Sequence, residues 1–225
     1  MKLAVHQPQY LPWFPYLMKI EKADIFVLLD TADFQKNGVQ NRNAIKTPNG
    51  AQWLTVPVIQ KLGTKIKDIE IADQNWQKKH WKAIVQNYSK AAYFTQYAGI
   101  VESWFVREWK QLSDLNNTIL TDLLAMFEIE TPIDRTSNLP FTDAKATDML
   151  VCICKHTGAK EYISGMGGKA YMDESAFENE GIKIHYESPL LPKPYTQCYQ
   201  KVAFMPDLSS LDILLNCGPS WRTYI

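Results

Sequence analysis

The stretch Lys2-Leu-Ala-Val-His-Gln-Pro-Gln-Tyr-Leu-Pro-Trp-Phe-Pro-Tyr-Leu-Met-Lys-Ile-Glu-Lys-Ala-Asp-Ile-Phe-Val-Leu-Leu-Asp30 decides the fold. Residues 3–5 are apolar and, with His6 at their end, predict a short strand at 3–6, and residues 13–23 carry apolar side chains at helical spacing. Residues 25–29 are continuously apolar, which is typical of a strand buried in a parallel sheet. Strand, helix and strand in this order predict a βαβ unit with a right-handed crossover.

The segments that follow extend this unit into a larger sheet. Residues 41–46 and 52–59 flank Pro48-Asn49-Gly50 and predict a β-hairpin, with Pro57 ending the second strand or placing it at an edge. Residues 65–71 predict a further short strand. A helical block is expected at about residues 76–128, because its apolar residues recur every three or four positions.

The last third of the chain returns to alternating elements. The pattern predicts strands at 133–136, 161–164 and 182–186, and helices at 142–156, 172–179 and 209–215, the first of them capped by Thr142. We therefore predict an α/β protein with a Rossmann-like, mostly parallel sheet, a β-hairpin and a helical insertion. Residues 1–225 are expected to form a single domain.

Composition limits the classes of function. The chain has 225 residues, 46% of them hydrophobic, with 24 basic and 24 acidic side chains, so no net field attracts nucleic acid or an anionic membrane. No signal peptide or membrane-length apolar run is visible, and the four cysteines lack Cys-x-x-Cys spacing. We expect free thiols, a cytoplasmic protein, no membrane insertion, no nucleic-acid partner and no metal site.

Two titratable residues end the predicted strands of the first βαβ unit. His6 ends the first strand, before a loop stiffened by proline, and Asp30 follows the second. Open α/β sheets bind ligands at the carboxyl ends of their strands, so we predict that His6 and Asp30 are catalytic. His6 would act as general base or phosphate contact, and Asp30 would orient it or bind a hydroxyl. The alternatives are a histidine bonded to the backbone and an aspartate that caps a turn.

The residues expected to bind substrate lie in three loops or strands. Polar and aromatic side chains follow His6, and a run of amides, an arginine and a lysine begins the predicted hairpin; an arginine fork suits phosphate or carboxylate. The predicted binding residues of these two segments are Gln7, Gln9, Tyr10, Trp13, Asn41, Arg42, Asn43 and Lys46. The alternative for the hairpin cluster is a solvated face.

The third predicted binding segment is the glycine-rich loop after the strand at 161–164. Glycines in such a position let backbone N–H groups approach an anion. The residues are Ser164, Gly165, Gly167 and Gly168. The alternative is a tight turn that requires positive φ. The loop matches neither Gly-x-Gly-x-x-Gly nor the Walker sequence.

The chain resembles the WbqC-like family over nearly its whole length. The matching segments are His6-Gln-Pro-Gln-Tyr-Leu-Pro-Trp13, Lys19-Ile20, Ala23-Asp24, Asp30, Arg42-Asn43, Trp53-Leu-Thr-Val-Pro57, Ile163-Ser-Gly165 and 214–218. Phe14-Pro15 stands where a glycine-containing turn is expected. The resemblance implies a pathway of O-antigen-type cell-surface polysaccharide, including lipopolysaccharide, more firmly than a reaction.

We therefore expect an enzyme that transfers a small group to or from an activated, nucleotide-linked sugar, with its cofactor left open. The first alternative is a nucleotidylyltransferase-like enzyme, because His-x-Gly-His nucleotidylyltransferases begin with a similar strand, loop and helix. Their second histidine and glycine are absent here. The second alternative is a nucleotide-sugar binding protein without catalytic activity.

Overall fold

A computed structural model of the chain describes residues 1–140, 144 and 146–225. The strands are β1 (Lys2–His6), β2 (Ile25–Leu28), β3 (Arg42–Thr47), β4 (Gly50–Thr55), β5 (Val58–Ile59), β6 (Glu70–Ile71), β7 (Ile133–Arg135), β8 (Glu161–Gly165) and β9 (Lys183–Glu187). The helices are α1 (Phe14–Glu21), α2 (Asn75–Tyr88), α3 (Phe94–Ser103), α4 (Leu112–Met126), α5 (Ala146–Thr157), α6 (Glu174–Glu178) and α7 (Leu211–Cys217). The predicted cap Thr142 lies outside the described residues.

A parallel sheet of five strands organises the described chain. Its order is β7-β2-β1-β8-β9, and each neighbouring pair is parallel. Within β1, Leu3 pairs with Ile25 of β2 and with Tyr162 of β8. The chain moves from β1 to β2 on one side and later reaches β8 on the other, so strand order reverses beside β1. Such a switch point opens a crevice at the carboxyl ends of the strands.

The sheet is buried on both faces, which explains the near-continuous apolar runs of its strands. Along β1, Leu3 and Val5 face a core formed with α5 and α6, whereas Ala4 faces a core formed with α1, α4 and α7. On β2, Val27 lies on the first side and Phe26 on the second. Placing α1 and α5 on opposite faces is what right-handed crossovers in opposite directions require. The prediction of an α/β fold with a parallel sheet is confirmed.

The hairpin is also confirmed, as β3 and β4 pair in antiparallel register around the turn before Gly50, from Arg42 opposite Thr55 to Thr47 opposite Gly50. The predicted strand at 65–71 differs from the structure. A 3-10 turn at Ile66–Asp68 precedes the two-residue strand β6. The turn forms because the amide of Lys67 is held by the Asp30 carbonyl and that of Ile66 by the Ala32 carbonyl. These bonds leave little of the segment free for a ladder.

Helix α1 begins one residue later than predicted. Trp13 is its N-cap with an extended backbone, and Pro15 occupies the first turn, where its missing N–H removes no hydrogen bond. The loop before α1 contains Leu11 at φ 44°, an unusual value for a residue with a side chain. The result is a sharp entry into α1, which turns one face of that helix toward the end of β1.

Candidate functional site

A cleft of about 540 Å³, counting its open mouth, lies at the switch point of the sheet. Its floor is formed by the carboxyl ends of β1, β8 and β9, and one wall is a face of α1. The lining residues are His6, Trp13, Pro15, Tyr16, Met18, Lys19, Lys22, Ile163, Ser164, Gly165, Glu187, Ser188, Pro189 and Leu190. Parallel strands bring these side chains together although they are widely separated in sequence.

His6 is held in one orientation at the floor of the cleft. Its Nδ1 lies 3.1 Å from the carbonyl oxygen of Gln7, and its ring meets Tyr16 edge to face at 5.2 Å. A carbonyl only accepts, so Nδ1 carries the proton in this contact and Nε2 carries the lone pair. Burial and the positive charge of Lys19 lower the pKa of His6 to about 4, against the weaker raising effect of Gln7. The imidazole is therefore neutral near pH 7.

Tyr16 and Lys19 lie three residues apart on α1, so they share the face of the helix that borders the cleft. Lys19 Nζ donates to the Val5 carbonyl at 2.9 Å. Burial lowers the pKa of Lys19 to about 8, and Glu187 raises it in part. The Tyr16 hydroxyl is buried and has no hydrogen-bond partner among the described residues. Burial raises the pKa of Tyr16 well above its usual range, so the phenol remains protonated.

An ion pair bridges two walls of the cleft. Lys22 Nζ, at the C-cap of α1, lies 2.7 Å from Glu187 Oε2, at the end of β9. The two side chains are 43% and 35% exposed, so the pair stands at the rim rather than in the interior. Exposed pairs of this kind contribute little to stability. They are therefore free to rearrange when a charged ligand enters.

Four of the residues predicted from sequence line the cleft together, namely His6, Trp13, Ser164 and Gly165. Gly167 and Gly168 lie in the adjoining 3-10 turn at Met166–Ala170. These glycines do not adopt positive φ, which was the alternative explanation of the loop. At Gly168 an added Cβ would lie 2.3 Å from Ser164 Oγ, so this glycine is needed for close packing against the end of β8.

The side chains of Gln7, Gln9 and Tyr10 contact other parts of the protein and do not line the cleft. Gln7 Oε1 accepts from the Gln40 side chain at 2.6 Å, and the Tyr10 hydroxyl bonds His80 Nδ1 at 2.8 Å. Gln9 is 4% exposed, and its Oε1 lacks a partner among the described residues. Gln7 and Tyr10 therefore tie the loop to Gln40 and His80.

Three hairpin residues also have protein partners. Asn43 donates through Nδ2 to the Leu11 carbonyl at 2.6 Å, and Asn41 donates to the Val56 carbonyl at 2.8 Å. Arg42 donates to the Asn37 carbonyl and lies 4.8 Å from the centroid of the Trp53 ring. The Asn43 bond supports Leu11 in its unusual backbone conformation. Of the three hydrogen-bond partners, only Leu11 lies far away in the chain, 32 positions from Asn43.

Lys46, the fourth predicted binding residue of the hairpin, is 1% exposed. Its ammonium donates to Gln197 Oε1 at 2.8 Å and to the carbonyls of Val202 and Ala203 at 3.1 Å each. Three acceptors match the three donors of an ammonium group. Lys46 therefore ties the hairpin to the 197–203 segment, and it does not line the cleft.

Asp30 lies at the same edge of the sheet as His6, but its carboxylate is occupied. Oδ1 accepts from the Thr136 hydroxyl at 2.8 Å and from the Ser137 amide at 2.9 Å, and Oδ2 accepts from the Ser137 hydroxyl at 2.6 Å. Its side chain holds the 3-10 turn that follows β7. Neither Asp30 nor Arg42 lines the cleft that contains His6.

Sequence reasoning missed Tyr16, Lys19, Lys22 and Glu187. A signal for the first three existed, because a helix that starts at the end of a site-forming loop presents every third or fourth residue to that site. Glu187 had no such signal. It reaches the cleft only because β9 pairs with β8 on the far side of β1.

The described residues contain no group of three or more His, Cys, Asp or Glu side chains placed to hold a metal ion. All four cysteines are free. No helix among the described residues is both long and apolar enough to cross a membrane. The cleft itself presents a neutral imidazole, two ammonium groups, a carboxylate and hydroxyls, a set suited to proton transfer beside an anionic ligand.

The comparisons with known proteins agree with the resemblance noted in the sequence. The model of the WbqC-like protein family matches residues 7–224. An uncharacterized protein of Mycobacterium tuberculosis, Rv1507c, is 33% identical over 227 residues, covering 100% of this chain and 97% of its own. A search of solved structures found no significant match. The chain therefore belongs to the WbqC-like protein family.

Proposed function

We propose that this protein is an enzyme that transfers a small group to or from an activated, nucleotide-linked sugar during assembly of cell-surface polysaccharide. The observation that carries the proposal is the state of His6. Its Nδ1 is anchored on the Gln7 carbonyl, its Nε2 carries the lone pair, and it lines an open cleft at the switch point of a parallel sheet. A fixed, neutral imidazole in such a place is suited to act as general base.

In this proposal His6 Nε2 takes a proton from a hydroxyl or amino group of the sugar as that group attacks the donor. The attacking oxygen or nitrogen forms a bond to the transferred group, while the bond between that group and its carrier breaks and leaves its electrons on the carrier. His6 then returns the proton to the carrier. Burial keeps the imidazole unprotonated at neutral pH, so Nε2 is ready to accept a proton, but the same lowering of the pKa weakens His6 as a base.

The other cleft residues have supporting roles. Trp13 offers an aromatic face, Ser164 a hydroxyl and Gly165 a backbone free of Cβ, all of which suit the sugar part of the ligand. Asp30 is kept as a positioning residue, because its oxygens already accept three hydrogen bonds. It acts through the turn at Thr136–Asn138 rather than by contact with substrate.

Membership of the WbqC-like family supports the polysaccharide context, since the resemblance implies pathways of O-antigen type. The nucleotide-linked substrate rests on the chemistry of the cleft, which combines cations with apolar and hydroxyl-bearing walls. The pathway and a cytoplasmic location are part of the same proposal. The cytoplasm contains nucleotide sugars and keeps thiols reduced, and all four cysteines are free.

The experiment is a panel of nucleotide sugars incubated with the purified protein and activated donors, followed by mass spectrometry. We expect a mass change in one sugar, and His6→Gln should lower the rate by about 100-fold or more, the usual range for a general base. The matched control is His185→Gln, since His185 also lies at a strand but outside the cleft. Equal rates for the His6 variant and the native protein would remove His6 from the mechanism.

A thermal-shift measurement separates the alternatives. Stabilisation by nucleotide sugars without any product on long incubation would favour a binding protein. Stabilisation by ATP or CTP with magnesium would favour nucleotidyl transfer instead. Neither result is expected if His6 acts as proposed on a bound sugar.

A further inference from the structure

Two cations three residues apart border the cleft, Lys19 in the last turn of α1 and Lys22 at its C-cap. Lys19 Nζ has three donors, and Val5 O is its one acceptor within the described residues. Its side chain is half-buried, where an ammonium group without enough acceptors is costly. Lys19 is therefore under-partnered, unlike the saturated ammonium of Lys46.

The Glu187 carboxylate compensates these cations in part. It pairs with Lys22 at 2.7 Å and attracts the charge of Lys19 electrostatically. One carboxylate against two ammonium groups leaves the wall with one positive charge in excess. Because Glu187 ends β9 and Lys22 caps the end of α1, the pair can part without breaking a helix or a strand.

We propose that Lys19 and Lys22 form a phosphate-binding subsite, and that Glu187 is an internal counterion that a phosphate group of the substrate displaces. This inference deepens the proposed function and rests on it for the sugar-bearing part of the ligand only. A phosphate or diphosphate carries enough charge to neutralise both lysines, and its several oxygens accept charge-assisted hydrogen bonds from both.

The surroundings of the lysines favour such a ligand. Tyr16 lies on the same face, is 3% exposed, and has a protonated hydroxyl with no partner among the described residues. Pro15 and Met18 line the same wall, so charges in it are only partly screened by water. The subsite therefore joins two cations and apolar walls beside His6, and the buried hydroxyl of Tyr16 lies on the same helix.

The subsite also couples ligand binding to the base. The charge of Lys19 is one of the causes that lower the pKa of His6. A bound phosphate offsets that charge and raises the pKa of the imidazole. Phosphate binding thereby strengthens the proton affinity of the base at the moment when the substrate is in place.

The test is a calorimetric titration with inorganic pyrophosphate at constant ionic strength. We expect Lys19→Met to weaken binding by about tenfold or more, because a charge-assisted hydrogen bond is lost. Glu187→Gln should strengthen binding by roughly threefold, since the competing carboxylate is removed. The matched controls are Lys155→Met and Glu180→Gln, an exposed ion pair at 2.6 Å outside the cleft, and both should leave the affinity unchanged.

Three outcomes would overturn the subsite. The first is that Lys19→Met keeps its melting temperature and binds pyrophosphate as tightly as the native protein. The second is that Glu187→Gln binds pyrophosphate more weakly than the native protein. The third is that the native protein binds acetate as tightly as pyrophosphate. The last would assign the lysines to a carboxylate. Because binding is read without turnover, pyrophosphate affinity that depends on Lys19 in a protein without transferase activity would refute the proposed function and leave the subsite standing.

Discussion

Two polar regions of this molecule differ in how completely their groups are partnered. In the first, around Lys46 and Asp212, every donor of the ammonium has an acceptor, and Asp212 accepts from Tyr88 at 2.7 Å, from Tyr195 at 2.7 Å and from Gln197 at 2.8 Å. In the second, the cleft, Lys19 uses one donor, Tyr16 uses none among the described residues, and His6 Nε2 remains available.

We interpret this difference as the contrast between a structural network and a ligand site. A saturated buried network specifies packing, because each group depends on the others and leaves nothing for a ligand. Under-partnered groups in an open cleft are maintained at a cost and are completed by a ligand or a reaction. Judged by residue type alone, Lys46 and Asp30 would be as good candidates for a ligand site as Lys19 and His6.

The largest expected effect on stability is that of Lys46→Met. It leaves the Gln197 side chain and the Val202 and Ala203 carbonyls without their donor and removes the charge that compensates Asp212. We expect a loss of roughly 3–5 kcal/mol in the free energy of unfolding, measured by urea denaturation. Lys155→Met, in an exposed pair, should cost less than about 1 kcal/mol. Similar losses for the two variants would refute the structural reading of Lys46.

Asp30→Ala should have the next largest effect. We expect it to lower the free energy of unfolding by roughly 2–3 kcal/mol, because three donors around the 136–138 turn lose their acceptor. The isosteric Asp30→Asn distinguishes positioning from direct coupling. The pKa of His6, followed by NMR, should stay unchanged in Asp30→Asn, since its causes are burial, Lys19 and Gln7. A clear shift would show that Asp30 acts on the imidazole itself.

The pH dependence of stability gives a third test. The folded pKa of His6 is lowered to about 4 from an ordinary value of 6.5, so the unfolded chain binds more protons between these values. The contribution of His6 to stability is therefore complete above pH 6.5 and is lost as pH falls toward 4. We expect the native protein to lose free energy of unfolding between pH 8 and pH 5, and we expect this loss to be smaller by about 2 kcal/mol in His6→Gln. His80, whose burial also lowers its pKa to about 4, should supply a similar loss that persists in this variant.

Lys22→Ala should have the smallest effect, below about 1 kcal/mol, because its pair with Glu187 is exposed and screened. Unfolding in urea measures the loss, and pyrophosphate affinity should fall in the same variant. A large loss of stability with unchanged affinity would make the pair structural and would reverse the comparison between the two regions.

The order of the elements was largely predictable from the sequence. Periodicity located β1, α1 and β2 to within two residues, and the Asn49-Gly50 turn located the hairpin. These features depend on residues that are close together in the chain, and the spacing of such residues can be read directly from the sequence. The 3-10 turn at Ile66–Asp68 was missed because its amides bond to the carbonyls of Asp30 and Ala32, more than thirty residues earlier.

The candidate site was predictable in part. His6, Trp13, Ser164 and Gly165 followed from the rule that ligands bind at the carboxyl ends of parallel strands, and all four line the cleft. Asn43 and Lys46 were chosen for their polarity, and the structure gives both of them protein partners. Polarity records what a side chain is able to bond, but not whether the fold supplies the bond.

The sequence by itself determined the α/β class and the position of His6 at the end of a strand, before a loop rich in proline, because these depend on local patterning. Only the tertiary structure decided which polar groups are saturated. Lys22 and Glu187 meet across 165 positions of the chain, and Lys46 meets Gln197 across 151. Such partners are chosen by strand order and packing, which no local pattern encodes.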